Sequence, residues 1–124
     1  MNKAGFIFFL GMLLFFAGIA QQQKVDSLQR VISSAKEDSV KVLALIELSK
    51  QFKGKDTSRI YLEQARELAE KINFPKGIAL AYKNIGITYY DKNKDNLVLD
   101  NWNKSLEIYK AIKDSAGEAN MLSN

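Results

Sequence analysis

The sequence predicts an all-α protein of stacked helix hairpins, and three observations predict it. After residue 20, apolar side chains recur three and four residues apart in one segment after another, which is the spacing of a single helix face. Short polar turns separate these segments, and the only proline, Pro75, falls at one of them. The chain also resembles itself when shifted by 40 residues.

The first twenty residues stand apart from this pattern. Lys3 precedes an uncharged stretch, AGFIFFLGMLLFFAGIA at 4–20, and Gln21-Gln22-Gln23 follows. A basic start, an apolar centre and small residues (Gly18, Ala20) before a cut after Ala20 make up the layout of a secretory signal peptide. The alternative is an uncleaved membrane anchor, since seventeen apolar residues are at the short end of what spans a bilayer.

Each later element has its own justification. Val25, Leu28, Val31 and Ile32 form one stripe of a short lead helix over Val25–Ser34, within a lead segment 21–37. Asp38 is placed to cap a helix running to about Lys53. Its apolar residues Val42, Leu43, Leu45, Ile46, Leu48 and Phe52 cover more than half the circumference, so neighbours are expected on two sides. Lys53-Gly54-Lys55-Asp56-Thr57 is a turn, with Asp56 or Thr57 as the next cap. Residues 58–72 carry Tyr61, Leu62, Ala65, Leu68, Ala69 and Ile72 on one face, with Arg59–Glu63 and Glu67–Lys71 as ion pairs on the other. Pro75 suits the first position of the following helix, where its missing N–H costs nothing, and that helix extends to about Asp91. Gly86 lies in its interior, where glycine costs about 1 kcal/mol relative to alanine. Close approach of a neighbouring helix is the expected reason. A polar turn at 91–95 leads to a helix over 96–113, with Val98, Trp102, Leu106, Tyr109 and Ile112 inward. Ser115-Ala116-Gly117-Glu118 has capping-box spacing and opens a last helix.

At the 40-residue shift Leu62 meets Trp102, Ala65 meets Ser105, Leu68 meets Ile108, Ile72 meets Ile112, Gly77 meets Gly117 and Asn84 meets Asn124. The matches are small and apolar, so what repeats is packing. A helix pair recurring at this length implies a solenoid.

Tyr82-x2-Ile85-Gly86-x2-Tyr89, then Val98-x3-Trp102, then Ser105 follow the W-x2-L-G-x2-Y, A-x3-F pattern by residue class. Leu45-x2-Leu48-Ser49-x2-Phe52, Ser58-x3-Leu62 and Ala65 form a weaker copy. On these residues the chain resembles the tetratricopeptide-repeat (TPR) family over 38–124, with pairs at about 38–73 and 75–113 and a partial third at 115–124. The resemblance implies a helix-turn-helix solenoid whose first helices line a concave peptide-binding groove. In the second pair the groove face would be Leu80, Lys83, Asn84, Ile87 and Tyr90, although Tyr90 falls off the signature. In the first it would be Leu43, Ile46, Glu47 and Lys50. The family's carboxylate-clamp version has asparagine where Ile87 stands, so that version is not expected. An exported signal, a lead helix and degenerate repeats also resemble the sensory half of bacterial signalling proteins. There, extracytoplasmic repeats precede an output domain such as a histidine kinase or a transcriptional regulator. Two pairs and the start of a third, without a polar end cap, raise the expectation of an N-terminal piece of a longer protein.

Several chemistries are excluded within this chain. It has no cysteine, hence no disulfide framework or thiol nucleophile, and no histidine, hence no Ser-His-Asp triad or typical zinc site. Without Lys3, 17 Lys/Arg oppose 14 Asp/Glu, scattered along the chain as solvated helix faces rather than as a nucleic-acid surface. Glu63 and Glu67, with Glu70 beyond, are the best paired carboxylates for an enzyme, but Arg59, Arg66 and Lys71 surround them. Asp91, Asp95 and Asp100 lack the glycine and terminal glutamate of a calcium loop. Tyr82, Tyr89, Trp102 and Tyr109 read as core. The expectation is therefore an exported, non-catalytic module without cofactor or metal, binding a protein or peptide. A periplasmic hydrolase acting through Glu63 and Glu67, or a self-assembling scaffold, are the alternatives.

Overall fold

The computed structural model describes residues 2–34, 36–90 and 92–123, and all regular structure among them is helical. The helices are α1 (Lys3–Ser34), α2 (Ser39–Lys50), α3 (Asp56–Lys71), α4 (Pro75–Tyr90), α5 (Asp95–Ala111) and α6 (Ser115–Leu122). Each packs mainly on the next in sequence, and α2 also touches α4.

The apolar N-terminal stretch and the lead helix lie on one uninterrupted helix, where a separate short helix from Val25 was expected. No residue of 4–20 is buried, and α1 is long and apolar enough to cross a membrane. Burial begins at Val25, where α1 lies along α2. The two helices run antiparallel: Gln21 Nε2 donates to the Gln51 carbonyl (3.3 Å), Lys24 pairs with Glu47 (2.8 Å), and Ile32 packs near Val42 in the core.

Two small cores flank α4. Val42, Leu45 and Ile46 of α2 meet Leu62, Ala65 and Ala69 of α3 and Ile85 of α4. On the other side Ala79 of α4 meets Tyr109 of α5 and Met121 of α6. The face expected on α3 is the one it buries. On α5, Val98 and Tyr109 are buried and Trp102 and Leu106 pack beside them, but Ile112 is 38% exposed.

The helix ends repeat one backbone geometry at Asn73, Asn93 and Lys113; past α4, Asn93 (φ 53°) donates to Tyr90 O and Lys94 to Tyr89 O, as the ends of α3 and α5 do. Asn73 (φ 52°) and Lys113 (φ 55°) are left-handed residues just past α3 and α5. Behind them Phe74 N–H bonds Ala69 O (2.8 Å) and Asp114 N–H bonds Tyr109 O (2.9 Å). With Asn73→Glu70 and Lys113→Lys110 alongside, both ends are Schellman motifs, 40 residues apart. The two turns then start their next helices differently. Pro75 opens α4, as expected, whereas Asp114 caps α6 by accepting from Gly117 N–H (3.0 Å).

That last contact corrects the sequence reading, which gave the cap to Ser115; the shorter reach of Asp114 to Gly117 decides it. Asp38 does cap α2, accepting from Lys41 N–H at 3.2 Å. At α3 the preceding residue is Lys55, with no side-chain cap, and Asp56 is already helical, because its carboxylate is drawn to Lys92 (2.5 Å). The ion pairs on α3 also differ from those expected. Arg59 turns to Asp56 (3.9 Å) and Lys71 leaves the helix for Glu37, while Arg66 gathers Glu63 and Glu70 at 2.8 Å each. Guanidinium geometry favours the central residue with carboxylates on two sides. Asp91 and Asn124 lie outside the described residues.

Candidate functional site

The first helix of each hairpin supplies one wall of a shared groove of about 640 Å³. From α2 come Leu43, Ile46, Glu47 and Lys50. From α4 come Lys76, Leu80, Lys83, Asn84 and Ile87. The end of α5 and the start of α6 close it with Tyr109, Asp114, Gly117 and Asn120. Helix periodicity explains the set: Leu80, Lys83, Asn84 and Ile87 are three, one and three residues apart, so they share one face of α4.

Of the sequence-predicted groove residues, Leu80, Lys83, Asn84 and Ile87 are brought together, and so are Leu43, Ile46, Glu47 and Lys50. Tyr90 is not in this wall. It ends α4 and is 64% exposed. The α6 side was not read from the sequence, yet a signal existed: Ala116 and Asn120 are the 40-residue translates of Lys76 and Leu80.

The groove's charges are mostly paired. Glu47 receives Lys24 (2.8 Å) and Lys50 (2.9 Å), and these bonds, Lys24's first, hold its carboxyl below the usual range. Lys76 reaches Asp114 at 3.3 Å. Asp114 is also lowered, first by its bond from the Gly117 N–H. Lys83 differs, because its ammonium donates to the Asn120 amide oxygen rather than to a carboxylate. Burial, and then the charge of Lys50, lower its pKa. A partly desolvated cation with a neutral partner is the groove's strongest place for an incoming anion. Asn84 donates its amide to Leu80 O (2.8 Å) within its own helix.

The carboxylates considered for catalysis lie elsewhere, on the outer side of α3. Glu63 binds Arg66 Nε (2.8 Å) and Glu67 approaches the same guanidinium at 3.9 Å. The Glu63 bond is the main reason the Arg66 pKa is held above its ordinary value. Asp100 pairs with Lys104 (2.8 Å) and Asp95 is the first residue of α5.

No protein-family model, curated protein or solved structure matches the chain. The functional reading therefore rests on its own residues and geometry.

Proposed function

We propose that the chain is an exported, non-catalytic TPR-like module that binds a protein or peptide in the α2–α4–α6 groove, as the extracytoplasmic sensory part of a signalling protein. One observation carries the reading. All but Tyr90 of the residues that the TPR resemblance assigns to a groove, on two helices 37 residues apart, line one cleft, Lys83 among them. The like Schellman endings after α3, α4 and α5 support a regular stacking of helices. Export is supported by the exposed apolar stretch 4–20, since the first tertiary bond of α1 is made by Gln21, the first residue after the proposed cut. Engagement of Glu63 and Glu67 by Arg66 supports a non-catalytic role.

The test is selection from a random displayed-peptide library on the full chain in detergent. Peptides carrying Asp or Glu are expected to enrich, and Lys83→Glu should lower their affinity at least tenfold, with an unchanged helical circular dichroism spectrum. Failure to enrich any peptide, or equal binding by the variant, would remove the groove from consideration.

A further inference from the structure

We propose that the Lys53-Gly54-Lys55 turn, with Arg59 and Lys92, seats the phosphate group of an anionic lipid headgroup at the bilayer-facing end of the helical domain. The inference rests on residues 4–20 entering a membrane, and it concerns a surface remote from the peptide groove's Lys83.

The antiparallel pairing of α1 and α2 fixes which end of the domain faces the bilayer. Gln21, where the apolar stretch has just ended, bonds the Gln51 carbonyl at the close of α2. From there the chain runs straight into KQFKGKDTSR (50–59), which holds Lys50, Lys53, Lys55 and Arg59 against Asp56 alone. The turn, the start of α3 and the end of α4 enclose a pocket of about 340 Å³. Lys53, Lys55, Arg59 and Lys92 line it, with Asp56 the one carboxylate in its wall among the described residues. That carboxylate is already engaged by Lys92 (2.5 Å) and Arg59 (3.9 Å). Lys53 and Lys55 have no carboxylate partner among the described residues, and both are exposed. Gly54 (φ 80°) lets the chain turn sharply between them, in a backbone region that side chains disfavour.

At the opposite end Glu37 pairs with Lys71 and Asp114 with Lys76, while Lys110 and Lys113 are exposed but far from the bilayer. Cations beside an anionic bilayer surface are each attracted to it, and the attraction fades within a Debye length, so only the membrane-proximal end profits. Tyr90 fits the same placement. It is an exposed aromatic at the end of α4, two residues before Lys92, and tyrosine is enriched at membrane–water interfaces. A cut after Ala20 would sever the domain from its helix; a headgroup site at this end keeps it on the surface.

The experiment uses the full chain in vesicles of phosphatidylcholine alone or mixed with phosphatidylglycerol. Floated vesicles are pulsed with a water-soluble lysine-acetylating reagent, and each lysine is read by mass spectrometry. Acetylation of Lys53, Lys55 and Lys92 is expected to fall at least threefold with phosphatidylglycerol, while Lys110 and Lys113 stay constant. Lys55→Glu with Arg59→Glu should abolish the protection of Lys53 without affecting flotation. Equal labelling in the two vesicle types would overturn the headgroup site while leaving the membrane reading intact. Protection by millimolar inorganic phosphate in neutral vesicles, as strong as that by the anionic lipid, would make it a pocket for free anions and overturn the lipid assignment. A chain that floats with neither vesicle would overturn both readings.

Discussion

Gly86 shows how a single residue's identity follows from its neighbour. The Trp102 indole turns its Cδ1–Nε1 edge to α4 and donates Nε1–H to the Lys83 carbonyl at 3.2 Å. A Cβ on Gly86 would stand 2.5 Å from indole Cδ1 and Nε1. The close approach foreseen at this glycine is therefore made by a ring rather than by helix backbone, and the ring is held by its hydrogen bond. In the earlier hairpin the corresponding positions are Ser49 and Leu62; an aliphatic side chain there needs less room. Alanine at 86 would gain about 1 kcal/mol of helix propensity but lose roughly 1–3 kcal/mol to overpacking. Gly86→Ala is thus expected to lower stability on balance in urea melts, and the loss should shrink when Trp102 is also Leu. An equal loss in both backgrounds would mean that the indole is not the cause. Asp114 gives a pH prediction at the same scale. Its folded pKa lies below the ordinary aspartate value of 3.8, so its stabilisation is complete above that value and is lost as pH falls through the folded one. Asp114→Asn keeps a capping side chain but removes the titration. The denaturation midpoint of the variant is expected to vary less with pH below about 4 than that of the parent.

At the scale of elements, the turns after α3 and α5 adopt the same backbone with different residues. Asn73 and Lys113 share the left-handed conformation, but asparagine tolerates it through local hydrogen bonding whereas lysine does not. Lys113→Asn is expected to stabilise the protein by some tenths to about 1 kcal/mol, read as a higher urea midpoint. An unchanged or lower midpoint would show that Lys113 gains something compensating from its side chain. Three buried or half-buried links join α4 and α5: Ser105 Oγ to Ala79 O at 2.8 Å, the Trp102 bond, and Gly86 beneath it. Ser105 stands where Ala65 stands one repeat earlier, and both are fully buried. A hydroxyl can be accommodated there because the Ala79 carbonyl accepts its proton.

For the whole molecule, the apolar half of α1 packs on nothing while its second half belongs to the domain. A chain beginning at Gln21 is therefore expected to melt at the same temperature as the full chain in detergent, because no tertiary contact is lost. A drop of many degrees would mean that residues 4–20 support the fold. At this scale the helical class, the helices from α2 onward, the cap at Asp38, the start at Pro75 and the face of α4 were legible, because each depends on spacing within one segment. The partners of Arg66 and Lys71 were not legible. Several carboxylates lie within reach of each long cation, and packing selects among them.

The sequence by itself determined an all-helical chain with an apolar N-terminal stretch, a self-similarity at a 40-residue shift, and a set of residues sharing one face of α4. These are matters of period and composition, which local chemistry fixes. Only the tertiary structure decided that Lys83 faces Asn120 across the groove, that Tyr90 stands outside it, and that Trp102 occupies the space above Gly86. It also decided that the basic turn at 53–55 shares an end of the domain with the apolar N-terminal stretch. Those relations join residues 16 to 37 positions apart. They exist only once helices have chosen neighbours, and buried contact area, not local spacing, makes that choice.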